Sequence, residues 1–132
     1  MSVEFEISDL MPASPQVVFD TWLGSEGHSA MIGTSATATD VVGGEFMAHD
    51  GYITGKNLQF VPGKLIRQSW RTQEFDDSDA DSVLEITLTP EGSGTRMTLK
   101  HTNLPEHGMQ YKQGWIDHYF EPMKAYFLSS AP

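Results

Sequence analysis

The sequence predicts an α+β fold, and three observations carry that prediction. An alternating apolar–polar segment opens the chain, turn-separated strand patterns fill residues 34–103, and an amphipathic helix lies near the end. The connections between the central segments are too short for crossover helices, so neighbouring strands pair antiparallel. Strand, helices, a run of strands and a last helix are the order of an α+β domain, not of a wound parallel sheet.

The elements follow in order. "VEFEIS" (3–8) alternates with Val3, Phe5 and Ile7 inward. "SPQVVFDTWLG" (14–24) is a helix with Ser14 as N-cap, Pro15 at the first helical position and Gly24 as C-cap. "SEGHSAMIG" (25–33) makes a second short helix. Strands are expected at 34–40, 44–49, 52–61, 64–75, 82–89 and 95–102, parted by "VVGG", "HDG", "PGK", "DDSDAD" and "PEGSG". "NLPEHGMQYKQG" then leads into "GWIDHYFEPMKAYF" (114–127). At 100° per residue Trp115, Ile116, Tyr119, Phe120, Met123, Tyr126 and Phe127 share one arc of about 140°, a core-facing stripe. Asp117, Glu121 and Lys124 lie opposite, with Glu121 within reach of Lys124. His118 falls just off the stripe. Pro122 removes a backbone donor mid-helix, which predicts a kink or a break near Tyr119–Pro122.

At 132 residues the chain matches one domain, expected over 1–132, large enough for a core or a core with a cavity. A net charge of −10, from 18 acidic and 8 basic side chains, opposes phosphate backbones and anionic membranes, so no nucleic acid partner is expected. Apolar stretches are too short for membrane insertion, and the first residues lack a signal-like region. The absence of cysteine excludes disulfides and thiolate chemistry and agrees with a cytoplasmic location.

Motifs for the common chemistries are missing. The five histidines show no HxH or HExxH spacing, so no metal is expected. "DDSDAD" (76–81) starts like a calcium loop but has Ser82 and Leu88 where Gly and Glu are required. No phosphate loop or GxSxG elbow is present, and no cofactor is expected. Asp117, His118 and Glu121 form a solvated helix face, so no catalytic residue is assigned there. Two polar residues stand in inward parity classes. His101 lies with Met97 and Leu99, and Gln68 with Ile66, Trp70 and Thr72. Each is either a hydrogen-bonded core group or a polar point in the wall of a ligand cavity.

The segments "GGEF" (43–46), "DGYITG" (50–55), "VPGKLIRQSWR" (61–71), "GTRMTLKHTNLP" (94–105) and "GWIDHYFEPMKAYF", with "SPQVVFDTW" (14–22), carry a resemblance. In their order and spacing the chain resembles the START-like (SRPBCC) superfamily. Within it, the chain is most similar to homologues of the C-terminal domain of the activator of the ninety-kilodalton heat-shock protein ATPase. The resemblance implies a helix-grip fold: a curved antiparallel sheet around a long C-terminal helix, with two short helices after the first strand. It also implies a hydrophobic space between sheet and helix, where superfamily members bind lipids, sterols or phenolics and a few are cyclases or dehydratases. The eukaryotic co-chaperone has a separate N-terminal domain that contacts the chaperone, whereas this chain begins at the first strand.

The expected function is binding of a small apolar or aromatic ligand between sheet and helix. The expected lining is Gln68, Trp70, Met97, His101, Trp115, Tyr119 and Met123. The alternatives are a chaperone-associated, stress-response interaction module and a cavity enzyme using His101 or Tyr119.

Overall fold

A computed structural model describes residues 2–130 of the chain. The alternating N-terminal segment becomes β1 (Val3–Met11), and Ser14 caps α1 (Pro15–Trp22), its side chain accepting from the Val17 amide. Leu23, not Gly24, is the C-cap of α1, because Gly24 in extended conformation already starts α2 (Ser25–Ile32). Gly33 ends α2 with φ 76°, the left-handed conformation that glycine adopts without a Cβ penalty.

Five more strands follow: β2 (Glu45–Ala48), β3 (Ile53–Val61), β4 (Leu65–Thr72), β5 (Ser82–Glu91) and β6 (Gly94–Leu104). All pair antiparallel in one sheet of order β1-β6-β5-β4-β3-β2. Ladder irregularities fall between Val3 and Phe5 and between Asn57 and Gln59. Such extra residues increase strand twist and help a sheet to curve.

The strand expected at 34–40 does not form; only a single bridge joins Thr37 to Met47. Two serines of α2 take the backbone groups a ladder would have used. Ser29 Oγ bonds both the amide and the carbonyl of Ala36, and Ser25 Oγ does the same at Ala38, at 2.8–3.0 Å. The segment is thereby tied to a helix instead of extending the sheet.

After a 3₁₀ turn (Glu106–Met109), the last helix begins earlier than the stripe suggested. It runs as α3 (Gln110–Trp115), a π turn (Ile116–Phe120) and α4 (Glu121–Ser130). The expected disturbance at Pro122 takes the form of that π turn: the Glu121 amide donates to the Ile116 carbonyl, five residues back. The widened turn accommodates a ring that an α-helical interior would exclude, and the helix continues without a break. Lys124 ties α4 to β1 through Asp9 at 2.8 Å and also meets Glu121 at 2.7 Å.

The outcome is a helix-grip fold. The inward faces of β4, β5 and β6 pack with α1 and the last helix around one core that includes Ile66, Leu84, Ile86, Met97, Leu99, Phe120 and Met123. No helix is long and apolar enough to cross a membrane among the described residues.

Candidate functional site

Strand parity sends Trp70 inward from β4, and the helical stripe sends Trp115 and Tyr119 to meet it. The rings touch: Trp70–Trp115 centroids are 5.6 Å apart and Trp115–Tyr119 4.7 Å. Trp22 from α1 closes the cluster at 6.3 Å from Trp115 and 5.0 Å from Tyr119. Aromatic pairs of this kind add about 0.5–1.5 kcal/mol each beyond their burial. Most of the space between sheet and helix is therefore filled by side chains.

The polar groups within this core are satisfied by protein. Trp115 Nε1–H donates to His101 Nδ1 at 3.0 Å, which leaves the proton of that imidazole on Nε2. His101 Nε2–H in turn donates to Ser82 Oγ at 2.8 Å, and the serine hydroxyl donates to the Trp70 carbonyl at 2.7 Å. Burial alone pushes the His101 pKa down to about 3, so the ring is neutral near pH 7. Gln68 accepts from Trp22 Nε1 at 3.2 Å and donates to Asn57 Oδ1 at 2.8 Å. Asn57 Nδ2 then donates to the carbonyls of Thr39 and Val41.

His28 of α2 belongs to a second chain of bonds. Its Nδ1–H donates to the Trp22 carbonyl and its Nε2 accepts from the Tyr119 hydroxyl, each at 2.8 Å. Burial lowers its pKa to about 4 despite the opposing effect of that carbonyl, with a smaller contribution from His49. The same burial raises the Tyr119 pKa far above its ordinary value.

Beside this packed core lies an open recess of about 230 Å³. The sheet side contributes Trp70 with His49, Tyr52 and Ile53 from the β2–β3 connection and the start of β3. The helix contributes Tyr111, Gly114, Trp115, His118 and Tyr119. Its walls are mostly aromatic. Tyr111 and Tyr52 have their hydroxyls engaged, Tyr111 with Thr72 at 2.7 Å and Tyr52 as a donor to Glu74. His49 and His118 meet edge to face, with ring centroids 5.9 Å apart and ring planes at 73°. Burial, then the proximity of His118, lowers the His49 pKa.

Of the seven residues expected to line a cavity, Trp70, Trp115 and Tyr119 stand in the recess wall. Gln68, Met97, His101 and Met123 are buried in the core behind it, outside the lining. The sequence reading missed His49, Tyr52, Ile53, Tyr111, Gly114 and His118. A wheel begun at Tyr111 would have found the helical members, since 111, 114, 115, 118 and 119 are spaced to share one helix face. No local pattern marks His49, which reaches the recess through a tertiary turn. Among the described residues no cluster of three or more His, Cys, Asp or Glu side chains could hold a metal ion.

A family model described as "Activator of Hsp90 ATPase homolog 1-like protein" matches residues 12–128. The mouse activator of 90 kDa heat shock protein ATPase homolog 1 is 25% identical over 115 residues, covering 86% of this chain and 34% of the mouse protein. The chain thus spans 33–34% of the length of the curated relatives it matches. An HSP90 activator from Plasmodium falciparum has a similar structure, with a TM-score of 0.82 at 20% identity over 92% of this chain and 94% of that one. The Aha1 dimer from Colwellia psychrerythraea gives 0.80 at 14% identity, covering 98% and 99% of the respective chains. At those identities the structures share a fold, and a fold hosts many functions. The family match, running from the end of β1 through most of α4, carries more: this chain belongs to the activator of Hsp90 ATPase homolog 1-like family.

Proposed function

We propose that the protein binds a small, mostly apolar ligand carrying one aromatic ring in the recess bordered by Trp70 and the Tyr111–Tyr119 face of the last helix. The observation that supports this reading is an aromatic-walled space of about 230 Å³ left open beside a densely packed core. An apolar cavity of about 150 Å³ accepts benzene, and drug-sized sites run to about 300–1,000 Å³. A single substituted ring is the matching size. Trp70, Trp115 and Tyr119 supply its contacts, while His101 holds Trp115 through its indole N–H and packs edge-on against Trp70. The proposal assigns no reaction.

Titration with 2-phenylethanol, read by quenching of tryptophan fluorescence, tests it. Saturable quenching that disappears in Gly114→Leu, where the new side chain projects into the recess, supports the assignment. A linear, unsaturable response in both proteins rejects it.

A second reading, that the protein contacts a 90-kDa heat-shock protein through its outer surface, is favoured by family membership and by the HSP90-activator names of the relatives. Pull-down with that chaperone and measurement of its ATPase turnover decide the matter; no retention and unchanged turnover dispose of it.

A further inference from the structure

We infer that the recess takes an aromatic carboxylate, its ring laid against the exposed edges of Trp70 and Trp115 and its carboxylate received by the paired imidazoles of His49 and His118. The inference rests on the ligand-binding reading above and adds the chemical class of the ligand.

The polar groups of the lining are few, and most are already committed. The Tyr52 hydroxyl donates to Glu74, the Tyr111 hydroxyl is shared with Thr72 and His107, and the Tyr119 hydroxyl donates to His28. His49 Nδ1 meets Thr34 Oγ1 at 3.3 Å, which leaves its Nε2 open, and among the described residues His118 makes no hydrogen bond. Unspent hydrogen-bonding capacity in the wall thus includes the two neighbouring imidazoles of His49 and His118. With centroids 5.9 Å apart, both rings lie within reach of the two oxygens of one carboxylate.

The backbone at His49 gives independent support. His49 and Asp50 both have positive φ, 50° and 57°, conformations that side chains other than Gly adopt at a cost of about 1–3 kcal/mol in strained cases. That turn is what aims the His49 ring at the helix.

The surrounding charges matter for an anion. His49 is faced by His28 from α2, by His118 and Tyr119 from the π turn, and by Tyr52 at the start of β3. Its chain neighbour is Asp50, and that of His118 is Asp117. Asp117 Oδ1 accepts from Gln113 at 2.9 Å, and Glu74 is engaged by Tyr52 and Gln110. In a chain of net charge −10, two imidazoles at an apolar recess provide local hydrogen-bond donors that an anion can use. A bound anion opposes the burial and the His118 proximity that lower the His49 pKa, and so favours the protonated form of that ring.

The test compares phenylacetate with 2-phenylethanol by calorimetry at about pH 7.5 and about pH 5.5, where an ordinary carboxyl group is still ionised. Phenylacetate is expected to bind about tenfold tighter at the lower pH, the size of one charge-assisted hydrogen bond gained. The neutral alcohol should change less than about twofold, having no charge to be met. His118→Gln and His49→Asn, the latter chosen because Asn tolerates positive φ, should each flatten the phenylacetate profile while near-UV circular dichroism stays native. If the alcohol binds but phenylacetate gains nothing on acidification, the carboxylate inference is overturned and the recess assignment stands. If neither compound binds at either pH, both are overturned together.

Discussion

Gly114 sits in the interior of the last helix with its Cα facing the recess, where a helix former would be expected. A Cβ built at Gly114 has nothing within 4 Å. Gly114→Ala therefore meets no clash and gains no packing contact, so its effect reduces to helix propensity. That gain is about 0.8–1 kcal/mol, part of it arising in the unfolded chain, which loses freedom when Gly becomes Ala. For a domain of this size it corresponds to a melting temperature higher by about 3–5 °C. Urea denaturation followed by tryptophan fluorescence measures the change, with the slope of free energy against urea expected to stay constant. Gly55 provides the contrasting case. There a Cβ would lie 2.0 Å from the Ser69 carbonyl oxygen and 2.6 Å from Phe46 Cε2, so Gly55→Ala forces β3 and β4 apart. A loss of at least about 2 kcal/mol is expected, as for overpacking of a closed site. A destabilised Gly114→Ala would refute the reasoning, because it would mean that the space beside the helix is occupied by protein.

Two further outcomes follow from the buried networks. Ser82→Ala leaves both the His101 Nε2–H and the Trp70 carbonyl without their partner, and should cost about 1–3 kcal/mol in urea denaturation. Acidification should destabilise the fold between about pH 6.5 and 3. His28 and His101 are held neutral with pKa values of about 4 and about 3, while their unfolded counterparts titrate near 6.5. The unfolded chain therefore binds more protons across that window, and stability contributed by the two neutral rings is whole above it and lost as pH falls through it. The check is the urea midpoint measured from pH 7 downward; His101→Gln should make its decline shallower by the share of one ring.

Much of the fold was legible because local chemistry determines it. The Ser14–Pro15 start of α1, the inward class of Ile66, Gln68, Trp70 and Thr72, and the turns that pair six strands need only short-range patterns. Residues 34–40 show where that reading fails. Their composition suits a strand, but Ser25 and Ser29 compete for the same backbone groups, and which partner prevails depends on where α2 sits. The Pro122 anomaly was visible as a disturbance, while its form, a π turn that buries both Tyr119 and Phe120, is seen only in the structure.

The candidate site divides along the same line. From parity and helical spacing alone, the sequence determined that Gln68, Trp70, His101, Trp115 and Tyr119 face one interior. It did not determine which of those polar atoms remain free. Hydrogen bonding is settled by distances of a few tenths of an ångström between groups far apart in the chain, such as Trp115 with His101 or Tyr119 with His28. Only the tertiary structure decided that the inward polar groups are spent within the core. It alone brings His49, from a turn with positive φ, to His118, from the π turn, at a recess walled by aromatic rings.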